Sequence, residues 1–307
     1  MQVKFANIFL LLKLGIGPIF SEDVSDSRPV APKASNNPET SVIVVAGQSN
    51  MLNWHADAGL LPPEANDENV CFYYETGAPP NHPDFEFSIN SSSLGEWTKL
   101  EPQRQNPFVK YNKVFFGPEI TLARSLTQSG IEALAVFKIG YFGTSLAEDW
   151  NSESVHGNQL YKTFQHRLLT AIHDFESSKG PTKIIGLFWI QGETDARIEN
   201  HARSYERNLR NFIKSFRNDT HLPNLPIAIA RIGPSPDRIH TFYKLVRGAQ
   251  EKVAETTPFT TWIDTDDLPR DSDNIHLLAP GVISLGERLA EAFLKINIIP
   301  EAENDKI

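Results

Sequence analysis

From position 42 onward, two hydrophobic rhythms alternate along the chain. Val42, Ile43, Val44 and Val45 form an unbroken apolar run, the pattern of a strand covered by helices on both sheet faces. The run stops at Gly47, where glycine allows a sharp turn, and Ser49 follows two positions later. Residues 41–51, SVIVVAGQSNM, therefore read as strand, tight turn and helix start. The segment GPEITLARSLTQSG places Pro118 in a first helical turn, spaces Ile120, Leu122, Ala123 and Leu126 as one helical face, and stops at Gly130. A strand is predicted over 133–139, followed by a glycine-rich loop over 140–150. A helix is predicted over 159–178, with Leu160, Phe164, Leu168, Leu169, Ile172 and Phe175 on one side. Further strands are predicted at 184–190, 227–232 and 259–263, and further helices at 201–218, 242–255 and about 281–295.

Strands that alternate with helices of this length imply parallel pairing through right-handed crossovers. The expected fold class is α/β, a three-layer α/β/α domain on a central parallel sheet of five strands. In such sheets ligands bind outside the carboxyl ends of the strands. The stretch 52–116 breaks the rhythm: it is rich in Pro, Asn and Ser, shows little periodicity, and reads as a loop-rich insertion over that end of the sheet. Its aromatics include Trp54, Phe72, Tyr73, Tyr74, Phe85, Phe87 and Trp97. They suit either a wall for a sugar ring or pins that hold the insertion to the core.

Composition narrows the class. A chain of 307 residues that is 40% hydrophobic can bury one sizeable core. With 38 acidic residues against 29 basic ones and a net charge of −9, it offers no basic surface for nucleic acid or anionic lipid, and neutral substrates fit better. A lone cysteine, Cys71, excludes an intramolecular disulfide and a cysteine-built zinc site. Residues 1–20 begin with Lys4 and an apolar stretch in the manner of a secretory signal, although Lys13 interrupts the stretch and no A-x-A site follows. Export to a periplasmic or extracellular location is expected. The stretch is too short and too interrupted for a membrane span. Residues 21–40 read as a disordered linker, 41–297 as the folded domain, and 298–307 as a tail.

Candidate chemistry gathers at the predicted strand ends. Ser49 sits at the carboxyl end of a buried strand with its N–H at a helix start, which suits either a nucleophile beside an oxyanion site or a helix cap. In DSDNIHLLAPG, Asp273 precedes His276 by three residues on a loop leading into the last helix. An imidazole that takes a serine proton needs a partner on its other nitrogen, and Asp273 can supply it from one short loop, with Asp271 close enough to compete. None of the nine histidines falls in an H-E-x-x-H pattern, no thiolate cluster exists and no phosphate-binding G-x-x-x-x-G-K loop occurs, so neither metal nor cofactor is expected.

Four blocks in order, GQSNM, the I-G-x-x-G-T-S-L-x-x-D-W loop, W-I-Q-G-E-T-D and D-x-x-H, resemble the sialate O-acetylesterase and acetylxylan esterase family of SGNH hydrolases (carbohydrate esterase family six and its relatives). The resemblance runs from about 41 to 293 and is weak inside 52–116. It implies a flavodoxin-like SGNH fold and a serine carbohydrate esterase that removes O-acetyl groups from sialic acid, xylan or related glycans. Carried onto this sequence, it implies Ser49 as nucleophile, His276 as base and Asp273 as its partner. Ser49 N–H, Gly143 N–H and the Gln191 amide would form the oxyanion hole. Phe142 stands where a second glycine is common, which leaves Gly140 and Gly143 both open as donors. Glu193 reads equally as a hydrogen-bonded strand end or as part of the site. Trp54, His55, Tyr73, Tyr74 and Trp97 are the candidate sugar-binding residues. A lipase or thioesterase on the same scaffold would need a continuous apolar groove, whereas 52–116 interleaves aromatics with Asn, Asp and Glu. A glycan-binding module without catalysis would have no reason to keep Ser49, Gln191, Asp273 and His276 together.

Overall fold

Strand β1 (Thr40–Gly47) lies between β4 (Leu134–Tyr141) and β5 (Thr182–Ile190), parallel to both. The computed structural model describes residues 38–82, 92–93, 95–103, 114–155, 157–235 and 239–297. The expected signal segment, most of the linker and the tail lie outside the described residues.

The sheet continues outward on one side through β2 (Cys71–Gly77) to β3 (Thr98–Lys99), and on the other through β6 (Ile227–Ala230) to β7 (Thr260–Ile263). It has seven strands in the order β3-β2-β4-β1-β5-β6-β7, all parallel except the β2–β3 edge pair. The expected count of five is corrected to seven, because β2 and β3 come from the stretch read as an unstructured insertion. In CFYYETG the apolar run is short and ends in Glu75 and Thr76, so periodicity alone did not mark it; pairing with β4 along its whole length makes it a strand.

Alternation along β1 sends Val42, Val44 and Ala46 to one face and Ile43 and Val45 to the other. On the first face they meet α3 (Leu160–Ser178), α4 (Glu199–Asp219) and α5 (Tyr243–Thr256), through side chains such as Phe164, Phe212 and Val253. On the second they meet α2 (Glu119–Gln128) and α6 (Ala279–Asn297), through Ile120, Leu122, Leu285 and Leu289. Three layers result. An ion pair fully closed from solvent, Lys138 Nζ to Glu119 Oε2 at 2.9 Å, ties β4 to the start of α2. Among the described residues no helix is long and apolar enough to cross a membrane.

Register brings the carboxyl ends of the three central strands level. Gly47 pairs with Gly140 on one side and with Ile190 on the other. A Cβ at position 47 would stand 1.9 Å from the Ile190 carbonyl oxygen, so glycine is required for this approach. Position 140 is equally closed: a Cβ there would meet Met51 Cε at 1.9 Å and Gly47 O at 2.6 Å. The loop after β4 is pinned from the loop after β5. Asp195 accepts the N–H groups of Leu146 (2.8 Å) and Ala147 (3.0 Å) and the Gln191 amide (2.6 Å). Within the loop, Asp149 accepts Ser145 N–H at 2.8 Å, and Thr144 Oγ1 accepts the Trp150 indole N–H at 2.9 Å.

Burial pushes the Asp195 carboxyl from 3.8 up to about 6, against the opposing pull of the bonds from Gln191, Leu146 and Ala147. A folded value above the unfolded one means that the native state holds this proton more tightly. Its contribution is complete below about pH 4 and is lost as pH rises through about 6. Asp195→Asn removes the titration. Across pH 4 to 6, unfolding free energy of the wild type should fall by up to about 1.4 kcal/mol per pH unit relative to the variant. Denaturant unfolding at several pH values checks this; parallel curves would contradict it.

Candidate active site

The GQSNM block folds into an elbow. Gln48 is extended (φ −119°, ψ −152°) and caps α1 (Ser49–Leu52), a single turn closed by Asn53 in the left-handed region (φ 59°). Ser49, first residue of that turn, has an N–H with no acceptor inside the helix. The next residue, Asn50, has a role that the sequence did not single out. Asn50 Nδ2 donates to Glu193 Oε1 at 2.6 Å and to Ile275 O at 3.1 Å, while Asn50 Oδ1 accepts Leu277 N–H at 3.1 Å. The side chain beside Ser49 thus grips the backbone on both sides of His276. Glu193 is its buried counterpart, with Oε2 lacking a hydrogen-bond partner among the described residues.

The loop before α6 carries two Asp–His pairs. Asp271 and Asn274 close a turn (Asn274 N–H to Asp271 O, 2.8 Å), and Asp271 N–H reaches His276 O at 2.8 Å. Asp273 Oδ1 accepts the N–H groups of Ile275 (2.8 Å) and His276 (2.9 Å), and Oδ2 lies 2.6 Å from His276 Nδ1. Burial raises the Asp273 pKa, but the bonds from the His276 ring and the two N–H groups outweigh it and hold the carboxyl far below the usual range. An ionised carboxylate only accepts, so Nδ1 of His276 carries the proton and Nε2 is left as an acceptor. Asp271 is engaged elsewhere: its Oδ2 lies 2.8 Å from His55 Nδ1. His55 stacks on His276, ring centroids 4.6 Å apart and planes within 6°. Atoms of His55, Asp273 and His276 come within 4.8 Å of one another. Imidazole lone pairs lie in the ring plane, and those of two parallel rings cannot converge on one ion, so this cluster is shaped for stacking rather than chelation.

Two glycines competed for the oxyanion donor. Gly140 fills the closed strand end described above, whereas Gly143, in the left-handed region (φ 68°) with open space around it, lines the cleft that also contains Ser49 and His276. Gln191 is placed differently from expectation. It is fully buried, and its two amide hydrogens already face three acceptors: Asp195 Oδ2 (2.6 Å), Thr144 O (3.0 Å) and Gln48 Oε1 (3.2 Å). Tyr205 O–H in turn donates to Gln191 Oε1 at 3.0 Å. Gln191 is a junction between the elbow, the Gly143 loop and α4.

The cleft measures about 370 Å³. Its apolar lining includes Trp54, Phe142, Ile239 and Ile275, and its polar lining includes Glu193, Thr194, Arg197 and His240. Of the five candidate sugar-binding residues, Trp54 and His55 line it. The other three do not: β2 carries Tyr73 and Tyr74 into the sheet layers, and Trp97, just before β3, packs against α3. Tyr73 is buried against Phe137 (centroids 5.0 Å), Tyr74 stacks on Phe72 (4.9 Å), and Trp97 packs on Phe175 (5.0 Å) and donates to Ala171 O at 2.8 Å. Arg197 and His240 were not singled out in the sequence, and Phe142 was noted there only as the residue that interrupts the glycine-rich loop.

The chain is similar to several known proteins. The family model described as carbohydrate esterase, sialic acid-specific acetylesterase matches residues 39–295. A protein of Arabidopsis thaliana named as a probable carbohydrate esterase is 30% identical over 272 residues, covering 84% of this chain and 91% of its own. An Arabidopsis thaliana crystal structure superposes with a TM-score of 0.62 at 23% identity, over 84% of this chain and 99% of that one. NanS superposes with a TM-score of 0.56 at 16% identity, over 84% and 98%. A carbohydrate acetylesterase from Xanthomonas citri does so with a TM-score of 0.56 at 20% identity, over 83% of this chain and 56% of that one. With the family model matching residues 39–295, well over half of the chain, the chain belongs to this family of carbohydrate esterases and is a carboxylic-ester hydrolase.

Proposed function

We propose that the protein removes O-acetyl groups from acetylated sugars through an acetyl-serine intermediate. The observation that carries this reading is the meeting of Ser49, Gly143 and the Asp273-bound His276 on one cleft, at the ends of three different chain segments. Ser49 Oγ attacks the acetyl carbonyl while His276 Nε2 takes its proton. Negative charge on the carbonyl oxygen is met by the N–H groups of Ser49 and Gly143. Ionised Asp273 stabilises the imidazolium that forms. Collapse expels the sugar oxygen, which leaves with the proton from His276, and water activated by the same nitrogen then frees acetate and restores Ser49. A sugar fits the mixed wall, where Trp54 and Phe142 offer faces and Glu193, Thr194 and Arg197 offer polar partners.

Ser49→Ala should lower the rate on a chromogenic acetate ester by at least about a thousandfold and leave the fold intact. A variant that keeps a tenth of the wild-type rate would dispose of the assignment.

Gln191 acts, in this reading, by holding the Gly143 loop. Gln191→Ala strands several buried groups, so we expect a loss of at least about 2 kcal/mol of stability together with a fall in kcat of tenfold or more. A hundredfold loss of kcat with unchanged unfolding would make it a direct donor instead.

Trp54→Ala should reduce kcat/KM on an acetylated glycan while sparing the small ester, which never reaches the sugar wall. Trp97→Ala serves as the contrast, lowering stability and affecting both substrates alike. Equal losses on the two substrates for Trp54→Ala would move sugar recognition elsewhere.

A further inference from the structure

The Asp273 bond gives His276 Nδ1 a direction, but one hydrogen bond does not by itself set the plane of the ring. The loop around it is open, with the side chains of Asp273 and His276 exposed by 38% and 23%. Asn50 fixes the backbone on either side of His276, again without fixing the plane of the ring. A flat surface against the imidazole does so, and the face of His55 provides one, centroid to centroid at 4.6 Å and parallel to within 6°. His55 is itself locked: its side chain is only 7% exposed and its Nδ1 is held by Asp271, whose backbone N–H also binds His276 O.

We propose that His55, anchored by Asp271, is a positioning residue for the base, and that its stacked ring sets the plane in which His276 takes the proton from Ser49 and returns it. This rests on the reading of His276 as the base. The arrangement also suits the charge that develops. Burial and the neighbouring His276 both lower the pKa of His55, outweighing the Asp271 and Asp273 carboxylates. A neutral ring therefore lies against the imidazolium as it forms, and an aromatic face attracts a cation.

Two replacements separate the ring from its hydrogen bond. His55→Phe keeps a flat face of similar size and loses the bond to Asp271; His55→Gln keeps a donor for Asp271 and loses the face. On a chromogenic acetate ester, His55→Gln should lower kcat by roughly thirtyfold to a hundredfold, the effect of misplacing a reacting group by about 1 Å, with KM within about twofold. His55→Phe should recover most of that loss. The rate at which a fluorophosphonate labels Ser49 should follow the same order, since it too depends on the base and needs no sugar. If Gln equals or exceeds Phe, or if the loss appears in KM with kcat preserved, His55 is a substrate contact and the proposal falls. An unfolding scan of each variant removes misfolding as a cause. Should the wild type hydrolyse no acetate ester, the proposed function fails, while the labelling rates still decide the role of His55.

Discussion

The approach of Gly47 to the Ile190 carbonyl is the contact on which the site depends. With hydrogen in place of a side chain, β1 ends level with both of its neighbours, Gly140 on one side and Ile190 on the other. Everything that follows within a few residues of those ends then shares a small volume: the Ser49 elbow after β1, the Gly143 loop after β4, the Gln191-to-Asp195 segment after β5. A larger residue at 47 would push β1 from β5 and separate the parts before any of them had lost its own chemistry.

Around that contact, buried polar groups hold loops rather than the core. Asp195 and Gln191 fix the Gly143 loop, and Asn50 with Glu193 fixes the His276 loop. Each polar atom so used lies in a place where an unmade bond is costly, so the loops have few alternative positions. The two Asp–His pairs extend the same logic to side chains.

How much of this was legible in the sequence follows from where the determining signals lie. Strand β1 holds an unbroken apolar run, β4 and β5 are apolar for most of their length, and α2 to α6 carry helical spacing, so the layered α/β architecture could be read directly. β2 could not, because only its pairing with β4 distinguishes CFYYETG from a loop. That one element also explains why Tyr73 and Tyr74 looked like a sugar wall: an aromatic with no assigned strand has no face, and once β2 is placed they point into packed layers, while Trp97, just before β3, packs on α3. The pairing of Asp273 with His276 was visible as a three-residue spacing. The pairing of Asp271 with His55 joins positions 216 apart and left no local trace. Gln191 was singled out by position in its block, yet sequence spacing cannot show that its amide hydrogens are already taken.

The central claim is that acetyl passes through Ser49. It is tested most directly by mixing the protein with an acetylated sugar, quenching in acid within the first turnovers, and mapping the mass of the peptide that contains Ser49. The account expects an acetyl group on Ser49 that appears before steady state, decays as substrate is exhausted, and accumulates further when water attack is slowed in the variant His276→Ala after acylation by a more reactive ester. Acetate release with no acetyl on Ser49 at any time, or acetyl on another residue, would contradict it.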